Sequence, residues 1–425
     1  MKRALCAGLF FVAVTAFPAG AIGERGWTVI GRDPHHSSSL SLGPEAPLKR
    51  DWTARTDDSE TNFTTWPVTL DGTVYARSAG GLLAIEGRSG RRVFWHDGGG
   101  SRQVSPSLDE ERVYLPLGLD PLRALDRETG APVWAYSDGD VGAVDPSSTL
   151  SDGRIFFSLP DSKAIYALDT ATGRLIWKVE TELSPDYVSA VSDGVLVTLL
   201  EDVNSREVKI IALDPSTGQQ IWEAPQKESA SSPSILGGKV IIGGGDDFAH
   251  ALDLKTGKPI WKSPVEDKFS PRNMPALAFG DVFLADRVGN IYRLDGETGK
   301  RKWIFRDTRG TMDQSFPVIA GTTLFIGSGS GDLYAIDTDD GKLLWTGSVR
   351  GIVLSGAADE ERWYFGVKNG PDEGLYAYEH DPKGKLESTR PAGTPLTALL
   401  GGLALFALLV IGVVAYFRRS RGRQS

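Results

Sequence analysis

Short stretches of alternating apolar and polar residues recur through the middle of the chain, separated by glycine-rich turns. In the segment 163–177 an alternating run is followed by the turn T-A-T-G and by a second run that ends at Trp177. Alternation with a period of two is typical of a β-strand buried on one face. Two further apolar runs precede this hairpin in each copy, as in the segment 233–243. The pattern therefore predicts units of four short antiparallel strands.

The hairpins share one order of residues, in which an Asp, or Glu86 in the first and looser copy, is followed by a Gly four positions later and then by a Trp. The carboxylate of such an Asp can accept hydrogen bonds from turn N–H groups, and the Gly can supply the positive φ that closes the turn. The tryptophans of seven copies are Trp95, Trp134, Trp177, Trp222, Trp261, Trp303 and Trp345, spaced by 39, 43, 45, 39, 42 and 42 residues. A period near 42 residues is typical of one propeller blade.

Incomplete copies at both ends of the repeat region predict how the ring closes. An eighth copy at 375–379 has no Trp, and an orphan strand ending at Trp52 lies 43 residues before Trp95. We expect the Trp52 strand to complete the last blade, because closure leaves no unpaired blade. The prediction is an all-β fold: an eight-bladed propeller of four-stranded antiparallel blades over residues 48–388, followed by one C-terminal transmembrane helix.

The recurring tryptophans have two interpretations. A large aromatic side chain at a fixed place in every copy suits packing between neighbouring sheets. The alternative is an aromatic platform for a ligand such as a carbohydrate. The regular spacing beside a hairpin turn favours the structural role, and Trp52 is included with the other seven as a docking residue.

The first 21 residues are typical of a secretory signal. Lys2 and Arg3 precede an apolar run, and the small residues 19–21 form a cleavage site. An uncleaved N-terminal anchor is the alternative interpretation. Residues 22–47 are then a lead-in to the propeller.

The other end of the chain predicts a membrane anchor. Residues 397–417 form an uncharged apolar run of 21 residues, and a basic tail follows at 418–425. At about 1.5 Å per residue this run spans roughly 31 Å, the thickness of a bilayer core. Arginines directly after a span stay in the cytoplasm, which puts the propeller outside it, in the periplasm or at the cell surface. A buried helix and a processed sorting signal are the alternatives, and residues 389–396 are a linker.

Charge and cysteine content exclude several functions. The formal charge is −9, and six of the positive residues lie at the two ends, so the body between them carries about −15. Such a body has no basic surface for phosphate backbones, which argues against nucleic-acid binding. Cys6 is the single cysteine and lies in the leader. The exported body therefore has neither a disulfide nor thiol chemistry.

The repeat resembles the tryptophan-docking repeat of the pyrroloquinoline-quinone (PQQ) propeller family over residues 48–385. The resemblance implies an eight-bladed propeller and at least two functional classes: alcohol dehydrogenases that use PQQ and Ca²⁺, and non-enzymatic scaffolds such as the outer-membrane assembly propeller. A further class of the family uses such propellers as sensor ectodomains. Those dehydrogenases hold the quinone against a disulfide between adjacent cysteines, which this sequence lacks after Cys6. It also lacks a C-x-x-C-H haem motif and a D-x-D-x-D-G calcium loop.

The missing dehydrogenase motifs favour a membrane-anchored scaffold or sensor module outside the cytoplasm that binds a protein partner and uses no cofactor. The alternative is a membrane-bound quinoprotein dehydrogenase with a divergent site, and only this alternative implies PQQ with calcium. No catalytic, cofactor-binding or metal-binding residue is assigned.

A possible ligand or partner face is predicted where the copies differ most. Connections between the second and third strands, and between blades, emerge on the face opposite the Asp–Gly hairpins, and folds place binding groups on such variable loops. The candidate residues there are Asp246, Asp247, Arg272, Asn273, Arg287, Asp313 and Lys368. Solvated loop charge is the alternative interpretation. The five histidines, His35, His36, His96, His250 and His380, are expected to be surface or turn residues.

Overall fold

The computed structural model describes residues 26–55, 66–78, 80–98, 104–117, 120–137, 147–202, 204–226, 230–266, 273–306, 310–312 and 314–385. These residues form strands and turns, grouped into eight antiparallel sheets of four blade strands each. The prediction of an all-β, eight-bladed propeller is confirmed.

The blades follow one another along the chain. Blade 1 comprises β4 (Val68–Leu70), β5 (Thr73–Ser78), β6 (Gly81–Glu86) and β7 (Arg92–Asp97); blade 2 comprises β8 (Ser107–Leu108), β9 (Arg112–Leu117), β10 (Asp120–Asp126) and β11 (Pro132–Tyr136); blade 3 comprises β12 (Thr149–Ser151), β13 (Arg154–Leu159), β14 (Ala164–Asp169) and β15 (Leu175–Glu180); blade 4 comprises β16 (Ala190–Ser192), β17 (Val195–Asp202), β18 (Glu207–Leu213) and β19 (Gln220–Gln226).

The second half of the ring has the same order. Blade 5 comprises β20 (Ser234–Leu236), β21 (Lys239–Gly244), β22 (Phe248–Asp253) and β23 (Pro259–Pro264); blade 6 comprises β24 (Ala276–Ala278), β25 (Asp281–Ala285), β26 (Asn290–Asp295) and β27 (Arg301–Arg306); blade 7 comprises β28 (Val318–Ala320), β29 (Thr323–Gly327), β30 (Asp332–Asp337) and β31 (Leu343–Ser348); blade 8 comprises β32 (Ile352–Ala358), β33 (Arg362–Lys368), β34 (Gly374–His380) and the N-terminal strand β3 (Leu48–Ala54).

The ring closes on itself in two ways. The first strand of each blade contacts the first strands of the blades on both sides, from β4 through β32 and back to β4, so these strands surround the axis. Strand β3 pairs antiparallel with β34, with Trp52 opposite Ala377. The predicted closure by the Trp52 strand is therefore confirmed, and the covalent start of the propeller is held inside its last blade.

The two faces of the ring carry different connections. Turns between first and second strands and hairpins between third and fourth strands lie on one face, called the turn face below. Turns between second and third strands and the connections between blades lie on the other, the loop face. This division follows from the up-and-down order of four antiparallel strands.

The tryptophan repeat joins neighbouring blades. The indole N–H of Trp177 donates to the carbonyl of Pro215 in the next blade at 3.0 Å. The indole of Trp177 also covers Gly218, which lies in the same hairpin as Pro215, and a Cβ added at Gly218 would lie 2.9 Å from the indole. The same contacts recur for Trp52 with Gly87 and Gly90, Trp134 with Thr170 and Gly173, Trp222 with Leu254 and Gly257, Trp261 with Gly296 and Gly299, and Trp303 with Thr338 and Gly341. The Gly of each hairpin thus closes the turn of its own blade, and its lack of a side chain leaves space for the indole of the preceding blade.

The assignment of Trp95 as the docking residue of blade 1 is wrong. Phe94 lies opposite Ala84, as Trp134 lies opposite Ala124 in blade 2, and Phe94 is the ring that covers Gly130. Trp95 is one residue further along the strand, so it faces the other side of the sheet. There it lies against Gly81 of its own blade, with its indole N–H donating to Asp97.

Trp345 makes a variant of the docking contact. Its ring lies 5.8 Å from that of Tyr378 in blade 8. That blade takes its outer strand from the N-terminus, so it has no hairpin between third and fourth strands to receive an indole.

The predicted signal and transmembrane segments, 1–21 and 397–417, lie outside the described residues. Within the described part of the chain, no helix is long and apolar enough to span a bilayer.

Candidate functional site

The lead-in before the propeller lies inside the ring. Its strands β1 (Gly26–Trp27) and β2 (Ser39–Leu40) add to the inner edges of blades 1 and 7. Between them the segment follows the inner strands in blade order. Its carbonyls accept hydrogen bonds from Leu108 of blade 2, Val191 of blade 4, Ile235 of blade 5, Leu277 of blade 6 and Ile319 of blade 7. Residues 26–43, called the channel segment below, therefore occupy the inner edges that would otherwise be unpaired.

Apolar side chains fill the axis on the loop side of the channel segment. Ile30 of that segment packs in one buried cluster with residues of blades 1, 4, 6, 7 and 8, namely Trp66, Val188, Met274, Phe316 and Leu354. Blades 1 and 4 are far apart around the ring, so their side chains can share a cluster only across its axis. All six residues are at most 9% exposed. Among the described residues, the side chains that meet at the axis therefore form a packed core.

Gln314 joins three blades above this core. Its carbonyl accepts hydrogen bonds from the indole N–H of Trp66 at 3.2 Å and from the N–H of Ser355 at 3.1 Å. Its Oε1 accepts from Nζ of Lys368 at 3.3 Å. Lys368, one of the predicted face residues, is thus buried at the loop-side end of the core, with its ammonium group held by a neighbouring loop.

Asp246, a second predicted face residue, belongs to a cluster on the loop side of blade 5. Its carboxylate contacts Nε2 of His250 at 2.8 Å and Nζ of Lys262 at 3.0 Å. The Lys262 ammonium also lies 3.6 Å from the ring centre of Phe248. Burial opposes ionisation, but the hydrogen bonds from His250 and Lys262 outweigh it and lower the pKa of Asp246 below its ordinary value. Asp246 therefore holds its own loop together.

The other candidates divide between buried and exposed positions. Asn273 is buried and its amide contacts the carbonyl of Ala285 at 3.4 Å, so it serves the core. Asp247 and Arg287 are exposed in the second turns of blades 5 and 6. Arg272 and Asp313 lie outside the described residues. The five members that the structure describes do not form one polar pocket: Asp246, Asn273 and Lys368 support the loop face from within, whereas Asp247 and Arg287 are exposed on it.

The expectation for the histidines is wrong for His36. His36 is fully buried, and its Nδ1 lies 2.7 Å from the carbonyl of Pro233. Burial lowers its pKa from 6.5 to about 4. His35, beside it, is exposed. The pair lies at a turn, where His36 has a left-handed φ of 57°, and only the second of the two rings enters the interior.

A cleft of about 750 Å³ lies on the turn face between blades 8 and 1. The channel segment contributes Leu40 and Leu42, and the first turns of the two blades contribute carboxylates, among them Asp71 and Glu360. Its basic residues are engaged in ion pairs, such as Arg88 with Glu361 at 3.3 Å. Sequence reasoning assigned no role to this region, because residues 22–47 show neither a repeat nor a periodic pattern.

The sequence model of the family described as outer membrane protein assembly factor BamB matches residues 15–209 and 206–352. The two matches together cover most of the chain. This protein belongs to that family. The match includes the channel segment as well as blades 1 to 7.

Two curated proteins illustrate the range of similar sequences. Tetrathionate hydrolase of Acidithiobacillus ferrooxidans is 24% identical over 178 residues, which are 39% of this chain and 35% of that protein. Quinohemoprotein alcohol dehydrogenase ADH IIB of Pseudomonas putida is 30% identical over 156 residues, 32% of this chain and 22% of that enzyme. The chain thus spans about a third or less of the length of these relatives.

Solved structures of a BamB protein and of a quinohemoprotein alcohol dehydrogenase share the fold. BamB from Moraxella catarrhalis superposes with a TM-score of 0.63 at 17% identity, covering 80% of this chain and 99% of BamB. Quinohemoprotein alcohol dehydrogenase ADHIIG from Pseudomonas putida superposes with a TM-score of 0.69 at 13% identity, covering 87% of this chain and 82% of the enzyme. At these identities the likeness concerns the fold alone.

The residues at the described centre do not fit a quinone cofactor. PQQ carries three carboxylates and needs charged or polar partners, whereas the axis is packed with Ile30, Met274, Phe316 and Leu354. In the part of the chain that the structure describes, no three His, Cys, Asp or Glu side chains are grouped so as to hold a metal ion. No reaction step that requires PQQ or a bound metal ion is therefore assigned to this protein.

Proposed function

We propose that this protein is a membrane-anchored scaffold outside the cytoplasm, and that its loop face binds a protein partner. The observation that carries the proposal is the packed axis. With the channel segment and five apolar side chains of the blades filling the centre, the ring offers its outer surfaces for recognition. Loops supported by a rigid scaffold are where proteins usually place binding groups.

The loop face suits recognition by charge and shape. Its supporting residues are fixed by internal contacts, such as Asp246 with His250 and Lys368 with Gln314. Asp247 and Arg287 stand exposed on two neighbouring blades. A fixed backbone that presents accessible charges of both signs favours a specific protein partner, because the loops lose little conformational entropy on binding.

Site-specific photo-crosslinking in intact cells tests the binding face. A photoreactive residue at Arg287 should give discrete cross-linked products, and the same residue at Glu128 on the turn face should give none. Both positions are exposed, so labelling itself does not distinguish them. The products should weaken when Asp247 is changed to Asn, which tolerates the positive φ of 66° at this position. Equal cross-linking from both faces would contradict the assignment.

The anchor is tested separately with topology reporters. A reporter that is active only in the cytoplasm should be active when fused after Ser425. The same reporter fused at Pro391, in a chain truncated there, should be silent, because the export signal then has no following span to stop it. Activity in both fusions would contradict export of the propeller.

The second candidate function is a quinoprotein dehydrogenase with a divergent site. The 30% identity to quinohemoprotein alcohol dehydrogenase ADH IIB over 156 residues favours it. Purified protein mixed with PQQ and Ca²⁺ should show neither quinone absorbance after gel filtration nor dye reduction with alcohols or sugars. Saturable turnover would replace the scaffold proposal by this one.

A further inference from the structure

Both ends of the described chain leave the propeller on the turn face. Gly26, where the channel segment begins, lines the cleft between blades 8 and 1. At the other end β34 runs towards the turn face, where the N–H of Asp381 donates to the carbonyl of Pro47 at 2.7 Å. Gly384 lies beside the same proline. The chain therefore departs towards the predicted span from the turn face of blade 8.

The predicted tether is short compared with the propeller. Eleven residues, 386–396, separate Lys385 from the predicted span at 397–417. Fully extended, they reach about 36–40 Å. An outer strand such as Leu175–Glu180 has six residues and is about 20 Å long. A path along the side of a blade and back under the loop face would consume nearly all of the tether, whereas the turn face needs almost none of it.

Two apolar side chains project from the same face. Leu42 and Phe279 are each 58% exposed, more than the other exposed large apolar residues of the described chain. Phe279 is in the first turn of blade 6, and Leu42 lines the cleft beside blade 1. Neither is needed to cover the protein's own core.

The backbone of Phe279 makes its position unusual. It has a φ of +56°, a left-handed conformation that costs a bulky side chain energy. The corresponding turns of blades 1, 3 and 4 have Asp71, Asp152 and Asp193 there, also with positive φ. Asp tolerates this conformation better than Phe. An exposed aromatic ring at a position that favours Asp is a departure from the repeat that local structure does not explain.

We propose that the turn face lies against the lipid bilayer, with Leu42 and Phe279 in the headgroup region, and that the loop face points away from it. The proposal rests on the proposed membrane anchor. Aromatic and aliphatic side chains gain free energy when they leave water for the interface, and aromatic rings favour that layer. The orientation also leaves the loop face accessible to a soluble or extended partner.

Carboxylates on the same face set the charge dependence of this contact. Glu128 and Glu360 are exposed on the turns of blades 2 and 8. They repel anionic headgroups over about 10 Å at moderate salt. We therefore expect the contact to be closer on zwitterionic than on anionic bilayers, and salt to reduce the difference.

Three matched labelling positions test the orientation. Leu42→Cys on the turn face, Val288→Cys on the loop face and Ile176→Cys on the outer edge replace aliphatic residues that are 58%, 48% and 41% exposed. Cys6 lies in the predicted signal, so the processed chain carries one thiol in each variant. The full chain is reconstituted in phosphatidylcholine vesicles, labelled with a fluorophore and quenched by a lipid with a nitroxide headgroup.

Quenching should be several-fold stronger at Leu42→Cys than at either other position. Phe279→Asp should weaken it, whereas Val288→Asp should leave it unchanged. Strongest quenching at Val288→Cys or Ile176→Cys would overturn the proposed orientation. Alkaline extraction separates this failure from that of the anchor: protein released from the vesicles contradicts the anchor, while retained protein with the wrong pattern contradicts only the orientation.

Discussion

His36 makes the stability of the ring dependent on pH in a way that can be measured. Its ring is fully buried in the channel segment, with Nδ1 positioned to donate to the carbonyl of Pro233 at 2.7 Å. Among the described residues, Nε2 has no hydrogen-bond partner. A second proton would therefore be added to an atom that is shielded from water and has no acceptor, and Asp33 only partly offsets the cost.

The sign and size of the effect follow from the two pKa values of His36. The pKa is about 4 in the folded protein and 6.5 in the unfolded chain. Between these values the unfolded chain binds more protons, so stability rises with pH through this window. The contribution of His36 to the free energy of unfolding is therefore present above pH 6.5 and is lost as the pH falls towards 4. A difference of this size corresponds to about 3 kcal/mol, a large fraction of the stability of a typical domain.

The substitution that tests this reasoning is His36→Asn. Asn can donate a hydrogen bond from nearly the same place and tolerates the φ of 57° at this position, but it does not titrate. The neighbouring His35 is exposed, so His35→Asn is the matched control. Carboxylates elsewhere contribute a pH dependence that all three proteins share. The difference between parent and His36→Asn isolates the buried imidazole.

Urea unfolding of the purified propeller at several pH values provides the measurement. We expect the parent and His35→Asn to lose about 3 kcal/mol more than His36→Asn between about pH 7 and pH 4. The same loss in His36→Asn and in the parent would refute the argument. A loss abolished by His35→Asn would show that the exposed ring is the titrating group.

Two further predictions concern the contacts between blades. Trp177→Ala should lower the free energy of unfolding by about 3–5 kcal/mol, because the indole is 8% exposed and donates to the next blade. Ile176→Ala, the control, should change it by no more than about 0.5 kcal/mol. Similar losses for the two variants in thermal or urea unfolding would contradict the docking role. Gly173→Ala should destabilise the propeller more than Gly153→Ala does. Both glycines have a φ near 70°, but only a Cβ at Gly173 would contact the Trp134 ring, at 2.6 Å. Equal losses of stability would show that backbone strain alone makes these glycines necessary.

The architecture could be predicted because its signals are local and repeated. Asp169 shows the reason: its carboxylate accepts from the N–H of Thr172 at 2.8 Å, and Gly173 follows with a φ of 69°. Such a turn needs these residue types at these spacings wherever it occurs. The position of the missing strand followed from counting, since a ring must close.

One error shows the limit of reasoning from residue type. The repeat at Gly90 has a phenylalanine four residues later and a tryptophan five residues later. Choosing the tryptophan ignored the spacing that the other copies share. In a strand, a shift of one residue moves a side chain to the opposite face of the sheet. The register, and not the larger ring, decided which aromatic residue docks.

The channel segment could not be predicted from the sequence, because its contacts are not periodic. Its backbone bonds to inner strands up to about 280 residues away, as between Ser38 and Ile319. Those bonds use carbonyl groups, which every residue has, so the sequence carries little trace of them. The burial of His36 follows from the same contacts and was missed for the same reason.

The packed axis changes what the repeat implies about function. Blades that dock through Trp and Gly hold the ring together whether or not its centre is empty, so the same repeat can serve an enzyme or a scaffold. What separates an enzyme from a scaffold is which side chains fill the axis. Here they come from Ile30 of the channel segment and from residues that precede the inner strands of the blades, such as Met274 and Phe316. Selection for a cofactor site would act on those positions, whereas selection for a partner would act on exposed residues such as Arg287. A test of function should therefore begin with the axis and the faces, and not with the repeat.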